Sequence, residues 1–445
     1  MFKRLFFSFF FLSNVHAVTV AVIDTGFDLD HEALKPQLRL GETDEEGAIA
    51  LPGFDGWKFT NNEHLKIPAL DNAAVQEVLQ YRSLKARAHQ AGLTPEERDW
   101  LELRRTDKAF KERLKIFKRH THGTLVTGIL LSEGEGLEVF PVRGLGIDVP
   151  TLVVEATPEN ASPLLRHTEA EFRRQVKLSE ERIIRKMSKM LKWIHHHNIR
   201  IVNASYGVTE THIRRRFQEW HQEITGLTME PILLNEIVES YFRSLYRRAD
   251  RILSRYPDTL YIFSAGNLAQ DNDAHHHFPS RIRRENVISV AAVANTELAS
   301  FSNWGKFHVD IAAPGVAVAS TLPSVYAPAA GSLETVASGT SMAAPHVANL
   351  AARCLVINEK LKAHEIKRLI METGQSLVAL ESKTVSGRKV DAGALLKACT
   401  DTITTPLSSL SPDPVTVAPD NSSPPASTAQ SDPPPVDVAP TQTSP

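Results

Sequence analysis

Short β-branched apolar runs alternate with long amphipathic stretches along most of this chain. VTVAVID from Val18, IVNASYG from Ile201, YIFSAGN from Tyr261, NVISVAAV from Asn286 and VDIAAPG from Val309 each read as a buried strand, and the first, second, third and fifth end in a carboxylate or small residues. Between them, Asp71 to Gly92 has the pattern of one helix. Thr94-Pro95-Glu96-Glu97 opens another with a cap, a first-turn proline and a capping-box glutamate, predicting a helix to about Arg119. Further helical stretches are predicted over 168–197, over 209–255 with a break near Gly226, after Ser341, and over 363–373. This alternation predicts a three-layer α/β domain, a mainly parallel sheet covered by helices on both faces.

Three of the boundaries carry chemistry. In SGTSMAAPHVA, a small-residue turn delivers Ser341 onto the start of an apolar helix, where a hydroxyl is exposed and backbone N–H groups can stabilise an oxyanion. Taken alone, the same serine reads as a helix cap. Asp24 ends the first strand, placed to be buried and ionised at the carboxyl edge of the sheet, or to close the strand in an Asx turn. His122 precedes Gly123 and an apolar, helix-length stretch; a histidine at a helix N-terminus is held neutral by the macrodipole, as a general base requires, although it also reads as a packing residue.

The order Asp24, His122, Ser341 separates the subtilisin arrangement from the chymotrypsin and α/β-hydrolase ones. With DTGFDLDH, HGTLVTGI and GTSMAAPH, the chain resembles the subtilisin-like serine proteases (subtilases, peptidase family S8) over roughly Val18 to Cys399. The resemblance implies an exported serine endopeptidase in which Ser341 attacks a peptide carbonyl, His122 shuttles the proton and Asp24 orients the imidazole. It carries the oxyanion-donor role to Asn267, in YIFSAGN. It also implies that Ser205, Tyr206 and Gly207 hold an extended peptide by its main chain, and that Tyr206 with Ser264, Ala265 and Gly266 shapes the specificity pocket. A weaker match, PVRGLG, suggests a second lining segment at Val142 to Gly146. The chemistry requires no cofactor. Structural calcium is a further implication, with no ligand set mapped here and no metal residues assigned.

The ends differ in character from the middle. Lys3 and Arg4, the apolar run Leu5 to Leu12 and Val15-His16-Ala17 predict a signal peptide over 1–17, too short to span a bilayer, hence a secreted or periplasmic protein. Cleavage there starts the mature chain at Val18, without room for an N-terminal prodomain. At the other end, residues 400–445 are expected to be a disordered tail, since 401–445 holds 11 of 26 prolines and no Lys, Arg or aromatic residue. Relative to compact subtilases, 64–119, 168–197 and 209–255 read as helical inserts in a catalytic domain over 18–399. They are either solvated decoration or a surface for a regulatory partner.

Composition narrows the partners. A net charge of -2 over 445 residues argues against nucleic acid, leaving protein or peptide substrates. The two cysteines, Cys354 and Cys399, form a disulfide in an oxidising compartment or remain two buried thiols. Asp271-Asn272-Asp273 with His275-His276-His277 draws carboxylates and imidazoles into one loop, read as a polar loop in preference to a metal site. Two other classes of function stay open: a non-catalytic partner-binding module on a protease fold, and a membrane-tethered processing protease.

Overall fold

The computed structural model describes residues 17–39, 70–88, 92–143 and 168–404. The first strand, β1 (Val18–Asp24), is followed by α1 (Asn72–Ala88), α2 (Pro95–Thr106), α3 (Lys108–Leu130) and β2 (Leu137–Arg143). Next, α4 (Glu169–His196) leads to β3 (Ile201–Ala204) and a short β4 (Val208–Thr209), and then α5 (Glu210–Thr225) and α6 (Pro231–Leu253) precede β5 (Leu260–Ser264). Five strands follow: β6 (His277–Phe278), β7 (Val287–Ala294), β8 (Glu297–Leu298), β9 (Ile311–Pro314) and β10 (Val318–Thr321). A single turn, α7 (Ala327–Ala330), and β11 (Glu334–Ala337) lead into α8 (Thr340–Ile357). The remaining elements are α9 (Ala363–Thr373), β12 (Gln375–Ser376), β13 (Arg388–Lys389) and α10 (Ala392–Thr404).

The main sheet runs in the order β12-β13-β9-β7-β5-β3-β1-β2, parallel except where β12 meets β13 and where β8 folds back on β7. Successive residues of a strand face opposite sides. Val20 and Val22 of β1 accordingly join the core formed with α3, α8, α9 and α10, whereas Ala21 and Ile23 join the core formed with α4, α5 and α6. The fold is therefore the expected three-layer one. β1 lies between β2 and β3 in space, so the chain leaves it to one side and returns on the other. Such a switch point opens a crevice at the carboxyl ends of the strands, and Asp24 stands at its edge.

The helices read as inserts have two different fates. Segments 168–197 and 209–255 form the second helical layer itself: Phe172, Met187, Met190, Leu191 and Ile194 of α4, and Ile213, Phe217 and Trp220 of α5, are buried in the core beneath the sheet. Gly226 ends α5 in the left-handed region at φ 76°, where glycine carries no Cβ penalty. By contrast, α1 and the first half of α3 build a separate small core in which Val75, Val78, Phe110 and Phe117 pack on Leu322 and Tyr326, while α2 buries no residue. The predicted capping box is present, with Glu97 N donating to Thr94 Oγ1 at 3.3 Å and Thr94 N to Glu97 Oε2 at 3.0 Å. This helix stops at Thr106, short of Arg119, because Asp107 caps the next one, accepting from Ala109 N at 2.8 Å and Phe110 N at 3.2 Å.

Cys354 of α8 and Cys399 of α10 are bonded, with Cα atoms 5.5 Å apart and a sequence separation of 45. α10 continues to Thr404, five residues beyond the expected domain boundary at 399. The proposed signal sequence up to residue 16, part of the Val142–Gly146 segment and the tail from 405 lie outside the described residues. Closing the loop between Cys354 and Cys399 restricts the unfolded chain by about 4 kcal/mol in the chain-entropy treatment. A Cys354→Ser/Cys399→Ser variant should therefore unfold at clearly lower denaturant concentration than the parent. An unchanged midpoint under non-reducing conditions would contradict the pairing.

Candidate active site

Asp24 is fully buried at the end of β1, and its carboxylate is completely partnered. Oδ1 accepts from Thr25 N at 2.7 Å and Thr25 Oγ1 at 3.2 Å, while His122 Nδ1 lies 2.8 Å from Oδ1 and 2.9 Å from Oδ2. A carboxylate can only accept here, so Nδ1 carries the proton. In the neutral imidazole Nε2 is then the free base. His122 is not at a helix N-terminus as expected. It sits well inside α3, because the helix begins at Lys108, and the macrodipole argument for its neutrality does not apply.

What holds His122 against Asp24 is a close approach of α3 to the loop after β1. A Cβ on Gly123 would come 2.2 Å from Gly26 O and 3.0 Å from the Phe27 ring, so only glycine lets the helix rest on that loop. The Thr25 hydroxyl, its one proton shared between Asp24 Oδ1 and Arg119 O at 3.0 Å, and Asp28 N, which donates to Thr124 Oγ1 at 2.9 Å, pin the two elements on both sides of the histidine.

Ser341 is the second residue of α8, preceded by Gly339 at φ 155°, a conformation that favours glycine. Ser341 N–H has no acceptor in the protein among the described residues. Its hydroxyl donates to Ser205 O at 3.2 Å, and among the described residues no hydrogen bond joins it to His122. The reciprocal bond has a clear cause. Pro345, four residues on, has no N–H to offer the Ser341 carbonyl, and Ser205 Oγ donates to that carbonyl instead at 3.1 Å. The loop after β3 is thus tied to the start of α8 by two hydrogen bonds.

Asn267 follows β5 and is exposed. Its Oδ1 accepts from Thr340 N at 2.8 Å and Thr340 Oγ1 at 3.1 Å. Thr340 Oγ1 in turn accepts from Gly266 N at 3.1 Å. With the carbonyl end engaged, the amide presents Nδ2 as a free donor beside the start of α8. Thr340 is buried and orients this amide, a role that sequence reading missed although the residue stands between Gly339 and Ser341.

The six expected substrate-contact residues fall in two neighbouring loops. Ser205, Tyr206 and Gly207 follow β3, Ser264 is the last residue of β5, and Ala265 and Gly266 follow it. Ser205, Ser264 and Ala265 are buried, and burial pushes the Tyr206 phenol up from its ordinary range. The polar loop beyond spends its side chains on separate partners: Asp273 pairs with His308 at 2.7 Å, His276 with Glu239 at 3.1 Å and His277 with Ser280 at 2.6 Å. Among the described residues no group of three or more His, Cys, Asp or Glu converges to hold a metal.

The chain is similar to known subtilisin-like proteases. The chain is 32% identical over 141 residues to Subtilisin-like protease 2 of Plasmodium falciparum, which covers 30% of this chain and 10% of that protein. It is 44% identical over 94 residues to the Thermophilic serine proteinase of Bacillus sp. strain AK1, covering 21% of each. The chain thus spans about a tenth to a fifth of the length of these curated relatives. Among solved structures, that of a lanthipeptide protease aligns over 86% of this chain and 87% of its own at 17% identity and a TM-score of 0.47. The model of the subtilase family matches residues 16–393, the whole stretch that carries Asp24, His122, Asn267 and Ser341, and the chain belongs to that family.

Proposed function

We propose that this protein is an exported serine endopeptidase that cleaves peptide bonds through Ser341, His122 and Asp24. The observation that supports it most directly is the buried Asp24 carboxylate bonded through both oxygens to His122 Nδ1, which leaves Nε2 as the base. Ser341 Oγ would lose its proton to Nε2 as it attacks the carbonyl, and the imidazolium would return that proton to the leaving amine. Nothing beyond these side chains and water is required. Export is supported by the basic and apolar N-terminal sequence and by a disulfide, which persists in oxidising compartments. Among the described residues no helix is long and apolar enough to cross a membrane.

The test is a fluorophosphonate probe followed by peptide mapping. One adduct is expected, on Ser341; a folded protein that takes none would overturn the assignment.

The oxyanion that forms during attack would be met by Asn267 Nδ2 and Ser341 N–H, the two donors left free at the start of α8. Asn267→Ala should reduce kcat by about 10²–10³-fold with KM little changed, because the donor acts on charge that develops only in the transition state. Thr340→Val, which removes the hydroxyl orienting that amide, should reduce kcat in the same direction by less. A change confined to KM in Asn267→Ala would remove it from this role.

A further inference from the structure

The two loops that flank Ser341 leave adjacent strands. β3 and β5 pair in parallel with Ala204 opposite Phe263, so Ser205–Gly207 and Ser264–Gly266 emerge side by side. Ser341 Oγ is 3.2 Å from Ser205 O, and Asn267 directly follows Gly266. A carbonyl carbon attacked by Ser341, with its oxygen on Asn267 Nδ2, would therefore lie against both loops, beside the space between them.

That space contains an imidazole. A Cβ on Gly207 would lie 2.1 Å from His277 Cε1 and 2.4 Å from Nε2, and a Cβ on Gly266 would lie 2.8 Å from Nε2 and 2.9 Å from Cδ2. The His277 ring occupies the volume into which residues at both positions would project, so the glycines and the ring are matched to one another. It is also held there. β6 pairs with β4, placing His277 opposite Thr209, and Nδ1 lies 2.6 Å from Ser280 Oγ. Only 4% of the residue is exposed, and among the described residues no hydrogen bond reaches Nε2. Burial pushes the imidazole down to about 4, so the ring is neutral at neutral pH.

Resting on the proposed peptidase activity, we infer that His277 is a specificity-determining residue that closes the pocket between the two loops, restricting the residue that supplies the scissile carbonyl to small side chains. A rigidly held neutral ring is an effective stop, since a closely packed site yields little to added volume. Small residues such as Gly, Ala and Ser fit above it; Phe, Tyr and Leu meet it.

The experiment is a peptide series differing only at the residue that donates the scissile carbonyl, cleaved by the full mature protein and by His277→Ala. For the parent, kcat/KM after Ala should exceed that after Phe or Leu by 10-fold or more, and His277→Ala should narrow or reverse that ratio by at least 10-fold. Fluorophosphonate labelling of Ser341 is measured alongside. A parent that takes no label defeats the proposed activity; a labelled parent that cleaves after Phe or Leu as readily as after Ala defeats the role of His277 alone. An unchanged ratio in a labelled His277→Ala protein also overturns it. If that variant fails to fold, His277→Ser and the parent's own profile give the same decision.

Discussion

Ser341→Ala should lower kcat by about 10⁶-fold and abolish fluorophosphonate labelling, a magnitude carried over from the same change in subtilisin. The variant is informative because little else depends on the hydroxyl. Among the described residues its one hydrogen bond is to Ser205 O, while the bond from Ser205 Oγ to the residue 341 carbonyl survives the substitution, so the loop and α8 stay joined. In the proposed mechanism the hydroxyl would turn from Ser205 O towards His122 before losing its proton. Residual catalysis of roughly 10³–10⁴ over water should remain, because Asn267 Nδ2 and Ser341 N–H are untouched. Full binding of a protein partner by the variant, together with full biological effect, would instead favour a non-catalytic module. Removing residues 64 to 119 would then be the damaging change.

Asp24→Asn should reduce kcat by about 10⁴-fold at neutral pH while leaving KM nearly unchanged. The direction follows from the hydrogen bonds around the carboxylate. Oδ1 accepts from Thr25 N as well as from Thr25 Oγ1, and these donors will keep the asparagine oxygen at that position. The new NH₂ group then replaces Oδ2, 2.9 Å from His122 Nδ1, and presents a hydrogen to it. Nδ1 must become the acceptor, the imidazole proton moves to Nε2, and the base that Ser341 needs is lost. Steady-state kinetics combined with a circular dichroism spectrum matching the parent would isolate this effect. A loss smaller than 10-fold would show that Asp24 does not set the tautomer.

Local signals in the chain were reliable where a few consecutive residues decide the outcome. β1 covers the run from Val18 to Asp24 and α9 covers 363–373 as expected, since strand and helix periods are read from neighbouring residues. The Thr94 capping box was legible for the same reason, and the Asp107 cap that ends the predicted helix early was equally local but overlooked. The placement of His122 failed for a different reason. Its helix extends back through a polar stretch to Lys108, which is stabilised by packing of Phe110 and Phe117 on Leu322 and Tyr326, residues far along the chain. α4, α5 and α6 were read as additions because they are charged on one side. Their apolar sides could only be recognised as a core layer once the sheet they cover was assembled.

By itself the sequence determined the family, the three-layer class and the order Asp24, His122, Ser341, because each motif is a short string whose chemistry is carried by adjacent residues. Only the tertiary structure decided which groups meet. It brought Asp24 and His122 together across 98 residues through the contact of Gly123 with Gly26, and it bonded Cys354 to Cys399. It turned the Asn267 amide through Thr340, and it set His277, read from sequence as one residue of a polar loop, between two glycines beside the nucleophile. Such contacts depend on strand order and on the close packing of distant segments, quantities to which no local pattern of residues is sensitive.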